Sequence, residues 1–311
     1  MSDPIVERSR RMIEQGSKSF AGAARLLPPR TRRHVYMLYA WCRYCDDQID
    51  SQELGFGAPG DATSGAQVLA RLEDLTRRAL AGETMQDPVF VALQRVTRAH
   101  DIPHHHPLEL LRGFAMDVDG RRFPQLEDTL EYCYHVAGVV GLMMAMVMGT
   151  REREALDRAV DLGIGLQMTN IARDVIDDAS CGRVYLPLSW LSESGVPAEE
   201  IARPEHRAAL HGAVRRFLAE ADLYYRSATQ GLSWLSPRCA WAIATARGVY
   251  REIGRVVLEQ GEQAWDTRTV VGKPRKLMRA THAALEAAVS VALRPARRQS
   301  AARDSRLWRR L

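Results

Sequence analysis

Asp46 and Asp50 stand four residues apart in Arg43-Tyr44-Cys45-Asp46-Asp47-Gln48-Ile49-Asp50. On a helix their carboxylates lie one above the other, about 6 Å apart. Two carboxylates so placed suit a hard divalent cation, which takes oxygen ligands and keeps positions open for substrate oxygens. A lone Asp-x-x-x-Asp is more often a solvated acidic face. Here it follows Tyr36-Met37-Leu38-Tyr39-Ala40-Trp41-Cys42, an apolar and aromatic run. Carboxylates that extend a buried helix are costly unless paired or metal-bound. Arg43, one turn before Asp47 and beside Asp46, is either their ion-pair partner or a ligand for a substrate phosphate.

A second constellation, Gln167-Met168-Thr169-Asn170-Ile171-Ala172-Arg173-Asp174-Val175-Ile176-Asp177-Asp178, puts Asn170, Asp174 and Asp178 at i, i+4 and i+8. Three oxygen ligands therefore share one stripe, which Gln167 extends. Gly163 and Gly165 upstream are expected to leave room for something to lie close to that helix. An EF-hand is excluded, because its loop needs a Gly and a terminal Glu that this spacing lacks. Two such clusters, each set in apolar sequence, fit a site where several divalent ions bridge carboxylates to a polyanion. Diphosphate is the natural candidate, since metal and Arg together neutralise it and make it a leaving group.

The elements that carry these side chains read as helices from end to end, with spacings of three and four throughout and almost no strand-like alternation. The breaks fall at Pro28-Pro29, Gly55 to Gly65, Asp101-Ile102-Pro103, Phe123-Pro124, Gly182 to Pro187, Gly195-Val196-Pro197, Ser236-Pro237 and Lys273-Pro274. The Gly-rich stretch 55–65 reads as a surface loop, being too near the N-terminus to separate two domains. The expectation is one all-α domain over 1–293, a helical bundle with a central cavity, followed by a basic tail at 294–311. The apolar run Val136 to Met148 is too short to span a membrane and reads as a core helix, its Met143, Met144 and Met146 and nearby Ile164 being candidate cavity walls.

With 46% hydrophobic and 26% charged residues, the 311-residue chain has the balance of a protein with a sizeable core, so disorder is excluded as its general state. The first residues show no secretory apolar region. Five cysteines, with Cys42 and Cys45 as a lone Cys-x-x-Cys and no second pair, argue for reduced thiols in a cytoplasm rather than a zinc site. His104-His105-His106 reads as an exposed loop. From Arg294 onward seven arginines face one acid, Asp304, so much of the net charge of +5 is local. That tail reads as a solvated end, with contact to anionic lipid through Leu307, Trp308 and Leu311 as the alternative; no nucleic-acid motif accompanies it.

The sequence closely resembles bacterial phytoene synthases, within the squalene/phytoene synthase group of head-to-head prenyl transferases. The resemblance spans nearly the whole chain. It rests on Gly16-Ser17-Lys18-Ser19-Phe20, Tyr39-Ala40-Trp41-Cys42-Arg43 with Asp46 to Asp50, Gly113 to Asp117, Tyr132 to Gly141, the second aspartate motif, Gly182-Arg183-Val184-Tyr185-Leu186-Pro187 and Ala240 to Ala246. It implies an isoprenoid-synthase helical fold that condenses two geranylgeranyl diphosphates through prephytoene diphosphate to phytoene, with Mg²⁺ or Mn²⁺ and without NADPH. It further implies that Asp46, Asp50, Asn170, Asp174 and Asp178 bind metal and diphosphate, while Ser19, Tyr39, Arg43, Gln167, Arg173 and Tyr250 contact substrate. Two alternatives stay open: a farnesyl diphosphate-using enzyme of squalene or dehydrosqualene type, and a helical assembly protein of the same fold. Oligomeric state and peripheral membrane contact are also open.

Overall fold

Pro28-Pro29 starts the helix that carries the first aspartate pair. A computed structural model describes residues 3–50, 62–294 and 302–309, at 62–64 the backbone alone, and among them no strand occurs. Helix α1 (Pro4–Gly16) and the short α2 (Lys18–Ala24) lead into α3 (Pro29–Ile49), with Pro29 in the first turn, where its missing N–H costs no hydrogen bond. Leu38, Trp41 and Cys45 of α3 are fully buried, so its last two turns are anchored in the core up to the carboxylates. Helices α4 (Ala62–Ala81), α5 (Pro88–Ala99) and α6 (His105–Val118) pack along this side. The stretch expected to be a loop over 55–65 lies outside the described residues as far as 61, and its last residues belong to α4. His105 and His106 form the first turn of α6 rather than a loop.

The other half is organised by α9 (Arg153–Ser180), which is enclosed by α8 (Val139–Val147), α11 (Arg207–Gly231) and α12 (Pro237–Gln260). Helix α8 continues α7 (Leu126–Cys133) through a π-helical turn, Tyr134–Gly138. The unbroken run Leu126–Val147 is longer than the expected core helix and has the length and composition to cross a membrane, but its most apolar window is 61% buried within the fold. It serves as a core element. Its close fit to α9 explains the upstream glycines: a Cβ at Gly163 would stand 2.2 Å from the Ala137 carbonyl oxygen, and one at Gly141 2.4 Å from that of Ala159. The room at Gly163 is therefore filled by the π turn.

Helix α10 (Leu188–Glu193) and α13 (Lys273–Ala292) complete the bundle. The tail departs from the expectation of a solvated end over its described part. Arg303 pairs with Asp161 of α9, which is wholly buried, at 2.6 Å. Leu307 is buried, Trp308 packs on Tyr134 with ring centroids 5.1 Å apart, and the Trp308 N–H donates to the Tyr224 hydroxyl at 3.1 Å. The reason is a buried carboxylate: Ser227 donates to it, and a guanidinium supplies the countercharge that burial requires.

Candidate active site

The C-terminal ends of α3 and α9 meet at a polar cavity of about 140 Å³. Asp46 and Asp50 line it from α3, and Gln167, Asn170, Asp174 and Asp178 from α9. Asp117 at the end of α6, Tyr132 of α7, and Arg183 and Tyr185 beyond α9 close it. The two aspartate motifs thus face one space. The expected substrate contacts divide. Gln167 and Asn170 line the cavity, and the Asn170 side-chain N–H donates to Gln167 at 3.2 Å. Tyr39, Arg43, Arg173 and Tyr250 stand behind it, where Tyr250 packs on Phe20 at 5.1 Å and Phe20 on Tyr39 at 6.3 Å. Ser19 is half-buried, and it is Ser17 whose hydroxyl hydrogen-bonds Tyr250.

Arginines hold the carboxylates apart. Arg43 binds Asp46 at 3.0 Å and Asp47 at 2.6 Å, so here it is their partner. Arg173 binds its neighbour Asp174, and Arg268, from the segment before α13, reaches the same carboxylate at 3.3 Å. Arg183 binds Asp50 at 2.7 Å. Its position follows from the end of α9: Gly182 takes φ +76°, a left-handed turn open to glycine, and the Arg183 N–H returns to the Asp178 carbonyl.

Asp117, Tyr132 and Tyr185 complete the lining of the cavity; they lie in motifs that carry the resemblance, not in a helical spacing of their own. Both tyrosine hydroxyls donate to Asp117, at 3.0 and 2.7 Å, and their rings stack 4.6 Å apart. The available signal was the Arg183-Val184-Tyr185 motif just after a helix-ending glycine. Electrostatics reflect the crowding of like charges. Removal from bulk water, with Asp50 and Asp47 nearby and against the pull of Arg43, pushes the Asp46 carboxyl up to about 7. Burial raises Asp117 to about 6 despite Arg183, and burial with Asp174 beside it raises Asp178 well above the ordinary range.

The donor set fits a hard divalent cation: carboxylate and amide oxygens with no sulfur. The Asn170 side-chain oxygen is buried and finds no hydrogen-bond partner among the described residues, which leaves an acceptor for an ion. No group of three or more His, Cys, Asp or Glu among the described residues is arranged to hold a metal. An ion held by these oxygens would take its remaining ligands from water and from an anionic substrate.

Comparison with known proteins gives the chain's relatives. A curated relative from Pantoea ananas named 15-cis-phytoene synthase is 53% identical over 296 residues, covering 95% of this chain and 94% of its own. A phytoene synthase from Pseudescherichia vulneris is 50% identical over 99% of this chain and 98% of its own. Among solved structures, a dehydrosqualene synthase in complex with ligand superposes with a TM-score of 0.80 at 28% identity, covering 90% and 95% of the two chains. Squalene synthase HpnC from Alicyclobacillus acidocaldarius gives 0.71 at 25% identity over 83% and 94%. The squalene/phytoene synthase family description matches residues 13–276. The chain, with both aspartate motifs on one cavity inside that span, belongs to the squalene/phytoene synthase family.

Proposed function

We propose that this chain is a prenyl transferase that joins two geranylgeranyl diphosphates head to head, through prephytoene diphosphate, to phytoene, with release of diphosphate. The observation that carries the reading is the convergence of Asp46, Asp50, Asn170, Asp174 and Asp178 on one cavity, where burial, with neighbouring carboxylates adding to it, raises the carboxyls of Asp46 and Asp178. Such a cavity gains most by taking up cations. Mg²⁺ or Mn²⁺ held there would neutralise the diphosphate and ease its departure. Relatives named phytoene synthase at 50% identity and above favour the C20 substrate over the C15 one. All five motif oxygens are kept, which disfavours a non-catalytic assembly protein.

The chain's own groups account for the rest. Arg43, Arg173, Arg183 and Arg268 already border the carboxylates and can turn to the diphosphate oxygens as ions take over their partners. The allylic cation left behind must be kept from water. Met143, Met146 and Ile164 are core side chains and supply no free wall. Val136, Val140, Met144 and Met148, half-buried at four-residue steps from the π turn through α8 to its C-cap, are the side chains we assign to the prenyl tails.

The test is incubation of purified protein with labelled geranylgeranyl or farnesyl diphosphate and Mg²⁺ or Mn²⁺, followed by identification of the extracted hydrocarbon. A C40 product from the C20 substrate is expected; its absence would sink the reading. Asp46→Asn and Asp174→Asn are expected to lower turnover by at least about a thousandfold with the far-UV helical signal kept.

A further inference from the structure

Helix α13 is inverted relative to an ordinary surface helix. Beyond its first turn its charged side chains, Arg279 and Glu286, turn inward. Glu252 of α12, whose side chain is fully buried, receives Arg279, with Arg275 at 3.5 Å, while Glu286 pairs with Arg247 of α12 at 2.5 Å. Trp241 donates its indole N–H to the Ala280 carbonyl at 2.9 Å. The outward face carries Leu277, Met278, Leu285, Val289 and Leu293, exposed by 71, 44, 68, 39 and 51%. Thr281, His282, Ala288 and Ala292 are exposed between them, so no Asp, Glu, Lys or Arg interrupts the strip from Leu277 to Leu293. Val270, just before the helix, is 73% exposed. Amphipathic surface helices bury the apolar face and expose the charged one. An uncovered apolar strip of this length marks a surface that something else covers.

The rim of the strip identifies what covers it. Arg255, Arg275 and Arg279 face two carboxylates, Glu252 and Glu259, so the cluster keeps one positive charge in excess at this end of the helix. Lys273 is exposed beside it, and Lys276 lies close enough to Lys18 of α2 to feel its charge. An apolar strip edged by cations matches a bilayer with anionic headgroups. A second copy of the chain would bring the same surplus of positive charge against this rim. The strip also runs toward the aspartate cavity, because Arg268, a few residues before α13, touches Asp174.

We propose that the outward face of α13, together with Val270, docks this protein on an anionic lipid bilayer, its apolar side chains seated at headgroup level and Lys273, Arg275 and Lys276 over the phosphates. The inference goes beyond the reaction proposed above and needs none of it, so its test uses no substrate. The full chain is sedimented with phosphatidylcholine vesicles containing phosphatidylglycerol, and with phosphatidylcholine alone. Binding to the anionic vesicles is expected, weakened roughly tenfold on neutral ones. The double variant Leu285→Glu/Val289→Glu, both at exposed positions, is expected to lose binding at least roughly tenfold with an unchanged far-UV spectrum. A separate variant, Met278→Trp, is expected to add fluorescence that brominated lipids quench. The proposal is overturned by wild-type protein that ignores anionic vesicles, by undiminished binding of the double variant, or by a tryptophan at 278 that is not quenched. It is equally overturned by light scattering that shows a dimer which the double variant splits.

Discussion

Arg183 enters the aspartate cavity from a turn. Gly182 bends the chain back over the end of α9, and the guanidinium meets Asp50 while its charge is also felt by Asp117. It thus balances carboxylates from α3 and α6 at once. Arg183→Gln leaves those charges facing each other without a fixed cation, and a diphosphate without one of its donors. We expect turnover to fall about a hundredfold with the helical signal intact, and Arg183→Lys to recover part of it. Steady-state kinetics with labelled substrate checks this; an unchanged kcat would remove Arg183 from the site. The difference in legibility between Arg183 and Asp46 is physical. Asp46, Asp50, Asn170, Asp174 and Asp178 announce themselves because helical periodicity fixes which side chains share a face. Arg183, Asp117 and Tyr185 reach the cavity through a turn, a helix end and a loop, and nothing local in the chain encodes where those point.

The contact of α9 with the π turn sets the position of the second aspartate stripe. Gly163 lies two turns before Asn170, and the atoms that its Cβ would strike belong to backbone, so neither side can yield by a rotamer change. Gly163→Ala is expected to cost about 3 kcal/mol and to lower activity beyond what the stability loss explains, since α9 must shift bodily. Urea denaturation alongside kinetics separates the two effects. The sequence flagged Gly163 as a close approach without naming the neighbour, because a glycine states that something is near and not what it is.

Helix α13 depends on a different kind of contact. Arg255 and Arg279 hold the Glu252 carboxyl down to about 2, against an ordinary value near 4.5. A depressed carboxylate stabilises the fold above its unfolded value and loses that contribution as the pH falls from about 4.5 toward 2. Glu252→Gln is expected to cost about 2 kcal/mol at pH 7, short of a fully buried pair because the arginines keep access to water. The variant's stability is expected to fall less steeply than the wild type's between pH 4.5 and 3, measured by urea titration at each pH. Parallel curves for the two proteins would remove Glu252 as the anchor of α13.

At the scale of the whole molecule, the chain's last described segment closes a charge balance opened in its longest helix. Asp161 is buried in α9 between Ser227 of α11 and Arg303 of the tail, and Arg158 donates to the same Ser227 at 2.7 Å. Composition alone presents residues 294–311 as a run of arginines, and a run of arginines ordinarily belongs in water. The bundle instead buries a carboxylate, Asp161, that draws on Arg303 of the tail as well as on Arg158 of its own helix, and this demand is visible only once α9 and α11 are packed together. Arg303→Gln strands that carboxylate and is expected to cost about 3 kcal/mol, lowering Tm by roughly 5 °C or more. Asp161→Asn in the same chain removes the stranded charge, so the double variant is expected to be more stable than Arg303→Gln alone. Neither change touches the aspartate cavity, so turnover well below Tm is expected to stay near that of the wild type. Calorimetry of the two single variants and the double variant checks the coupling. Additive losses would mean that the tail merely rests on the bundle, whereas partial rescue shows that it supplies the countercharge on which the position of α9 depends.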